Sequence, residues 1–312
     1  MGDTGRRIRH ELGYRALRGM LATARPIPLP ALRGVGMAIG RLAMALSRRE
    51  RGRAAEHLAL AFPELDDSAR AALLVATGRH LGRLLGEIAW LWSVPAAELL
   101  ARTEFVGLEN LTGALSPKRG AVLITGHCGN WEWMNLALGA AGVPMTVAAR
   151  EVYDPRLDAI AVRLRGRFGG ETELRGTEAG RGLLAALRHG RVAGLLIDQD
   201  IDTPGAFVEF FGRPAWTPVG AAVLALRAGV PVVPGFASRL QDGRVRVTCE
   251  TPIDLGVRRE PEAAAALTAL LTARIEAQVR AHPEQWVWMH RRWRRRPGPG
   301  DRVWTTADQP VD

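Results

Sequence analysis

The sequence predicts an α/β fold: a largely parallel central sheet covered by helices, preceded by an N-terminal helical segment of membrane-interface type. Three observations predict it. From about residue 104, apolar runs of strand length alternate with stretches of helical periodicity, as in a series of strand–helix–strand units. The run Ala121-Val-Leu-Ile-Thr125 is almost wholly apolar, as a strand covered on both faces must be. No internal repeat and no long linker rich in Gly, Pro or Ser divides the 312 residues, a length one large domain can hold.

Residues 5–50 read as two amphipathic helices hinged at Pro26-Ile-Pro-Leu-Pro30. Arg15, Arg18, Arg25, Arg33, Arg48, Arg49, Arg51 and Arg53 flank their apolar faces. That arrangement suits helices lying on anionic lipid, and equally core helices with a charged rim. The apolar stretch 35–46 is short and broken by Arg41. A bilayer span needs about 20 apolar residues, so no transmembrane helix is expected. Arg6, Arg7 and Arg9 are not followed by a clean apolar run with a cleavage site, so no signal peptide is expected either. Residues 1–52 are read as this interface segment, 53–296 as the main domain and 297–312 as a loose tail.

Residues 53–100 read as helices, broken at Pro63, with Asp66-Asp67 as a new N-cap. Trp90 and Trp92 are packing residues of that stretch, and His57, His80 and His189 are expected on surfaces. Strands are expected at 120–125, 144–149, 192–197, 231–237 and 244–250. Helices are expected near 131–141, 155–168, 177–189, 217–229 and 259–281.

The formal charge of +10 is carried almost wholly by arginine, Lys118 being the sole lysine. Such an excess fits nucleic acid, an anionic membrane or an acidic substrate. No nucleic-acid motif or aromatic platform is present, which removes the first. Cys128 and Cys249 are too few for a disulfide framework, which suits a reducing, cytosol-facing setting.

The most informative stretch is Ile124-Thr-Gly-His-Cys-Gly-Asn-Trp-Glu-Trp133. A core strand ends at Gly126, Gly129 and Asn130 form a turn and N-cap, and an apolar helix begins. His127 and Glu132, five apart, cannot share a helix face. They can meet if the His lies in the turn and the Glu in the first helical turn, where the helix dipole favours a carboxylate. The pair is then a general base with its orienting partner; otherwise it is structural. Cys128 is a rival nucleophile. No second His or Cys stands at ligand spacing, so no metal is expected.

Arg150 follows a strand directly, at the edge where ligands gather in open α/β sheets. Arg163, Arg165 and Arg167 crowd the stretch before Phe168, as a phosphate or carboxylate clamp or as a solvated charge run. Asp198 ends a third core strand, where it could hold an arginine or accept from substrate. Gly205 to Gly212 is apolar enough for a lid, a ligand wall or an edge hairpin. Pro283 to Trp293 sets three tryptophans among cations, a membrane-surface patch or a basic rim on a packed helix end.

With these residues in place, the chain resembles the lipid A biosynthesis lauroyl/myristoyl acyltransferases, within the lysophospholipid and glycerophosphate acyltransferase superfamily. The resemblance runs from about residue 10 to 296. It rests on Gly-His-Cys-Gly-Asn-Trp-Glu at 126–132, Arg150 with Asp154-Pro155, Asp198-Gln199, Phe207 to Gly212, and Pro283 to Trp293. The chain differs at His57, where the family often has Asn, and at Cys128, where relatives often have Phe. The resemblance implies transfer of a fatty acyl group from a thioester of acyl carrier protein or CoA to a hydroxyl of a membrane glycolipid, foremost a lipid A precursor. Another lipid acceptor, such as a phosphatidylinositol mannoside or ornithine lipid, and a non-catalytic basic membrane-binding protein are the alternatives. By the same resemblance His127 is the base and Glu132 its partner, with Asn130, Arg150, Arg165, Arg167 and Asp198 around the substrate. No cofactor is implied. The implied setting is an anionic membrane surface at the cytoplasmic face of the bacterial inner membrane, with peripheral or monotopic attachment.

Overall fold

The structure, a computed structural model, describes residues 3–150, 154–174 and 179–308, with side chains described from residue 11. Four helices open the chain: α1 (Asp3–Thr23), α2 (Leu29–Leu46), α3 (Arg48–Ala61) and α4 (Asp67–Leu91). Proline enters the first turn of α2, where its missing N–H is no loss. Asp66 caps α4 by accepting from the Ala69 amide at 2.7 Å. Helices α2 and α4 meet along glycines: Gly36 and Gly40 face Gly78, Gly82 and Gly86, and a Cβ at Gly40 would lie 2.6 Å from the Gly82 nitrogen. The two backbones therefore touch. On the opposite side of α2, Val35, Ile39, Leu42 and Leu46 form an exposed apolar row.

The alternating part follows: α5 (Ala96–Ala101), β1 (Thr103–Val106), α6 (Leu108–Thr112), β2 (Ala121–Thr125), α7 (Trp131–Ala140), β3 (Met145–Ala149), α8 (Pro155–Arg165), β4 (Glu171–Leu174), α9 (Ala179–Arg188) and β5 (Val192–Leu196). Then come β6 (Gly205–Phe210), β7 (Arg213–Pro218), α10 (Gly220–Ala228), β8 (Val232–Arg239), β9 (Val245–Cys249), α11 (Pro261–Ala281) and β10 (Val303–Trp304). Seven strands form one sheet in the order β1-β9-β8-β2-β5-β3-β4, parallel throughout except between β8 and β9. The pleat sends Val122 and Ile124 into one core with α10 and α11, and Ala121 and Leu123 into the other with α7. Both faces are covered, as the apolar run of β2 requires.

Several expectations are corrected here. Strands β1 and β4 went unforeseen: each is a four-residue sheet edge, largely half-buried, so neither leaves an apolar run. Of the three readings open for the run from Gly205, the hairpin is the one found: β6 pairs with β7, turning at Phe211 (φ 54°) and Gly212 (φ 66°), the left-handed pair that tight hairpins use. Phe211 tolerates it because its N–H donates to Glu276 Oε2 at 2.6 Å and its ring meets Phe62 and Phe210. The tail is not wholly loose, since β10 pairs in parallel with β6. Residues 309–312 lie outside the described residues.

The Trp/Arg segment is core rather than membrane surface. Trp286, Trp288 and Trp293 are buried, with Trp286 and Trp288 edge to face at 4.6 Å. Arg292, fully buried, donates to the Trp216 carbonyl and the Thr217 hydroxyl, and Arg294 and Arg295 bind Asp200. The carbonyl and the hydroxyl are the partners that let Arg292 be buried, while Arg294 stays exposed.

His57 and His80 are likewise buried, not on the surface. His57 Nδ1 lies 2.8 Å from the Trp288 carbonyl, and the His80 ring is bound by Arg239. Burial pushes both histidines below the ordinary imidazole value, and pushes His290 down to about 4. A folded pKa below the unfolded one means that the unfolded chain binds the proton first as pH falls. Stability is then full above pH ~6.5 and is lost on acidification, by up to about 1.4 kcal/mol per pH unit for each such histidine. Melting temperature should fall between pH 7 and 4.5, and His80→Gln should flatten the slope. A flat profile in the native protein would show these rings to be solvated.

Candidate active site

Parallel pairing builds the site. Strands β2 and β5 are neighbours with Thr125 level with Leu196. His127 and Asp198 each stand two residues beyond those positions, so they emerge side by side at the carboxyl edge of the sheet, where α/β proteins bind ligands. His127 Nδ1 lies 2.7 Å from Asp198 Oδ1, and the His127 amide donates to Asp198 Oδ2 at 2.7 Å. The Trp286 indole donates to the same oxygen at 2.8 Å. Gly126 makes this approach possible, because a Cβ there would sit 3.0 Å from Asp198 Oδ2. Gly129, with φ +60°, takes the left-handed turn and runs beneath the Ala237 carbonyl, where no side chain fits.

Asp198 is 2% exposed. Burial opposes its ionisation, but the His127 ring and the three hydrogen bonds outweigh this and hold it well below the usual carboxylate range. An anionic Asp198 fixes the Nδ1–H tautomer and leaves Nε2 with its lone pair. The expected partner, Glu132, is engaged elsewhere: Arg165 grips its carboxylate, Nε donating at 3.0 and 3.1 Å and Nη2 at 2.5 Å. The carboxylate on the His127 ring comes instead from the end of the neighbouring strand. Arg165 is held above the ordinary guanidinium range; burial would lower it, but Glu132 prevails.

A cavity of about 200 Å³ opens in front of His127. Leu123, Met134, Met145, Val147 and Leu195 give it an apolar interior, while Glu132, Arg150, Arg165 and Gln199 bring polar groups to it. Arg150 is exposed and has no ion pair among the described residues. Trp131 packs edge-on against the His127 ring at 4.9 Å.

Other expected residues take different places. Asn130 is buried and uses its amide twice, capping α7 through the Trp133 N–H and donating to Glu87. Both polar atoms of its side chain are thereby engaged within the protein. Arg167 donates to the carbonyls of Leu91 and Val94 at the end of α4, so its donors are spent away from the cavity. Arg163 lies over Trp92 at 5.0 Å. Cys128 is buried, and burial with the Asp198 charge pushes its thiol well above the ordinary range, so no thiolate is available for attack. Among the described residues no group of His, Cys, Asp and Glu could hold a metal. Some polar residues of the site escaped the sequence reading. Trp286 holds Asp198, and Asn135 is among the residues that line the cavity; neither carries a local signal of its role.

A histidine oriented by a carboxylate and opening on an apolar cavity suits transfer of a fatty acyl group to a hydroxyl, the chemistry of an acyltransferase. The bacterial lipid A biosynthesis acyltransferase family matches residues 5–295, and the chain belongs to that family. The chain is 27% identical over 289 residues to the lipid A biosynthesis lauroyltransferase of Escherichia coli K12, covering 89% of this chain and 90% of that one. It is 28% identical over 275 residues to the palmitoleoyltransferase of the same organism, covering 87% of each. To the phosphatidylinositol mannoside acyltransferase of Mycobacterium tuberculosis it is 29% identical over 230 residues, covering 71% of this chain and 70% of that one. The protein is an acyltransferase of the glycolipid-modifying type.

Proposed function

We propose that this enzyme moves a fatty acyl group from a thioester of acyl carrier protein or CoA to a hydroxyl of a lipid A precursor, at the cytoplasmic face of the bacterial inner membrane. The observation that carries the reading is His127, backed by Asp198 and facing the apolar cavity. Nε2 takes the proton of the acceptor hydroxyl as its oxygen attacks the thioester carbonyl. The tetrahedral intermediate collapses, the C–S bond breaks, and the thiolate leaves with the proton from the imidazolium. Asp198 stabilises that imidazolium without taking its proton. Arg150 and Arg165, with Glu132, are the polar groups beside the reacting carbonyl and the acceptor.

The membrane reading rests on α2. At 18 residues it is about 27 Å long and could cross a bilayer by length and composition. One of its faces, however, is occupied by α4. Its outer row, Val35, Ile39, Leu42 and Leu46, is 53–72% exposed, an apolar stripe that an interfacial helix lays into lipid.

Purified protein incubated with labelled lauroyl thioester and a panel of acceptors tests the function. Ester should form on the lipid A precursor and vanish with His127→Ala. No transfer to any acceptor overturns the proposal. Transfer to a phosphatidylinositol mannoside alone selects the second reading, which the mycobacterial relative favours. The cavity makes a further prediction. A Cβ at Gly194 would project between Val147 (3.1 Å) and Met145 (3.4 Å). In a chain-length series, Gly194→Val should cut kcat/KM for long donors at least about tenfold relative to short ones. An unchanged ratio would place the acyl chain elsewhere.

A further inference from the structure

We propose that Glu87, near the C-terminal end of α4, is a positioning residue for acyl transfer, setting the His127 turn from beneath through Asn130. The inference rests on the proposed role of His127. Glu87 is fully buried. Its Oε2 accepts from Asn130 Nδ2 at 2.8 Å and from Arg239 at 2.7 Å, and its Oε1 accepts from Arg239 at 2.6 Å and Arg33 at 2.8 Å. Asn130 stands between His127 and Glu132 in the sequence. Its other amide atom accepts from the Trp133 N–H at 2.9 Å, so the side chain joins the first turn of α7 to Glu87. Asp198 fixes the His127 end of the same turn, and the Gly129 N–H donates to the Gln285 carbonyl at 2.8 Å. The turn is thus held at three points, and Glu87 supplies the one nearest the helix start.

A buried carboxylate between two guanidiniums is a costly way to hold a core together, since apolar residues of equal volume serve stability as well or better. Its return is directional: only an acceptor at that place fixes the Asn130 amide, and with it the entry of α7. Arg33 adds a consequence. It belongs to α2, whose outer face carries the exposed apolar row, so the lipid-side helix and the catalytic turn share one carboxylate.

The cluster's charge allows a controlled test. Two guanidiniums and one carboxylate leave a net +1, and removing Arg33 and Glu87 together leaves +1 on Arg239. Arg33→Met with Glu87→Gln keeps an acceptor for Asn130, whereas Arg33→Met with Glu87→Leu keeps none. With equal folded fractions by thermal melting, the Gln pair should hold kcat within about threefold. The Leu pair should lose at least about tenfold in kcat, with KM for the thioester within about twofold, as expected from misplacing a catalytic turn. Hydrogen exchange of amides 129–134 should quicken only in the Leu pair. Should that pair fail to fold, Asn130→Ser serves: it keeps a cap oxygen, is too short to reach Glu87, and should show the same kcat loss and faster exchange. Equal kcat and equal exchange in the two double variants, or native values in Asn130→Ser, overturn the proposal. A native enzyme that transfers no acyl group overturns the function instead, and the exchange comparison still decides the positioning.

Discussion

Asp198→Asn should lower kcat by about three to four orders of magnitude while the protein folds normally, an effect of the size seen when a histidine base is left in the wrong tautomer. The reason lies in the proton on the ring. Ionised Asp198 accepts from Nδ1, so Nε2 is free to take the acceptor proton. An asparagine can turn its amide N–H toward Nδ1, which moves the ring proton to Nε2 and leaves nothing to accept with. Its carbonyl can still receive the Trp286 indole, so the fold survives. The anion that would stabilise the imidazolium is also lost.

Glu132 provides the contrast. Glu132→Gln keeps an acceptor for Arg165 and does not touch the ring, so it should cost less than Asp198→Asn and leave the pH–rate profile in place. Asp198→Asn should alter that profile, because His127 has lost the carboxylate at its Nδ1. Steady-state rates across pH 5–9 for the two variants measure this. If Glu132→Gln loses the acid limb and Asp198→Asn stays within about tenfold of the native enzyme, Glu132 is the partner of the base after all.

That exchange of partners shows how far the site was legible. The strand ending at Gly126, the turn at Gly129 and Asn130 and the helix that follows carry local signals, and the structure places β2 and α7 within a residue of the expected bounds. Asp198 was legible as a residue at the ligand edge. Its contact with His127 was not, because it depends on β5 lying next to β2 in matched register, and strand order is set by long-range packing. Glu132 looked like the partner because proximity in sequence is visible and Arg165 reaching over from α8 is not. The burial of Trp286, Trp288 and Arg292 was hidden for a related reason. Trp beside Arg reads as an interface, but the hairpin carbonyl and hydroxyl that take the Arg292 donors lie some seventy-five residues earlier in the chain.

Gly82→Ala should melt well below the native protein, with a loss of about 3 kcal/mol or more, and Gly82→Leu should release α2 altogether. A helix interior normally gains about 0.5–1 kcal/mol when alanine replaces glycine, so propensity alone predicts the opposite sign. The seam decides it. A Cβ on Gly82 would fall on the Gly36 carbonyl and stand 2.9 Å from the Gly40 nitrogen. Both obstacles are backbone, so no side chain can rotate to make room and the helices must separate. Separation would expose Leu29, Leu32 and Met44 and draw Arg33 away from Glu87. Gly34→Ala is the internal control: it lies on the same helix α2, with nothing within 4 Å of its would-be Cβ, and should be neutral or stabilising. Thermal melts of the three variants, with limited proteolysis at residues 24–28, read the outcome. Native melting of Gly82→Ala would mean that α2 is not held by this contact, and the glycines would then need another explanation.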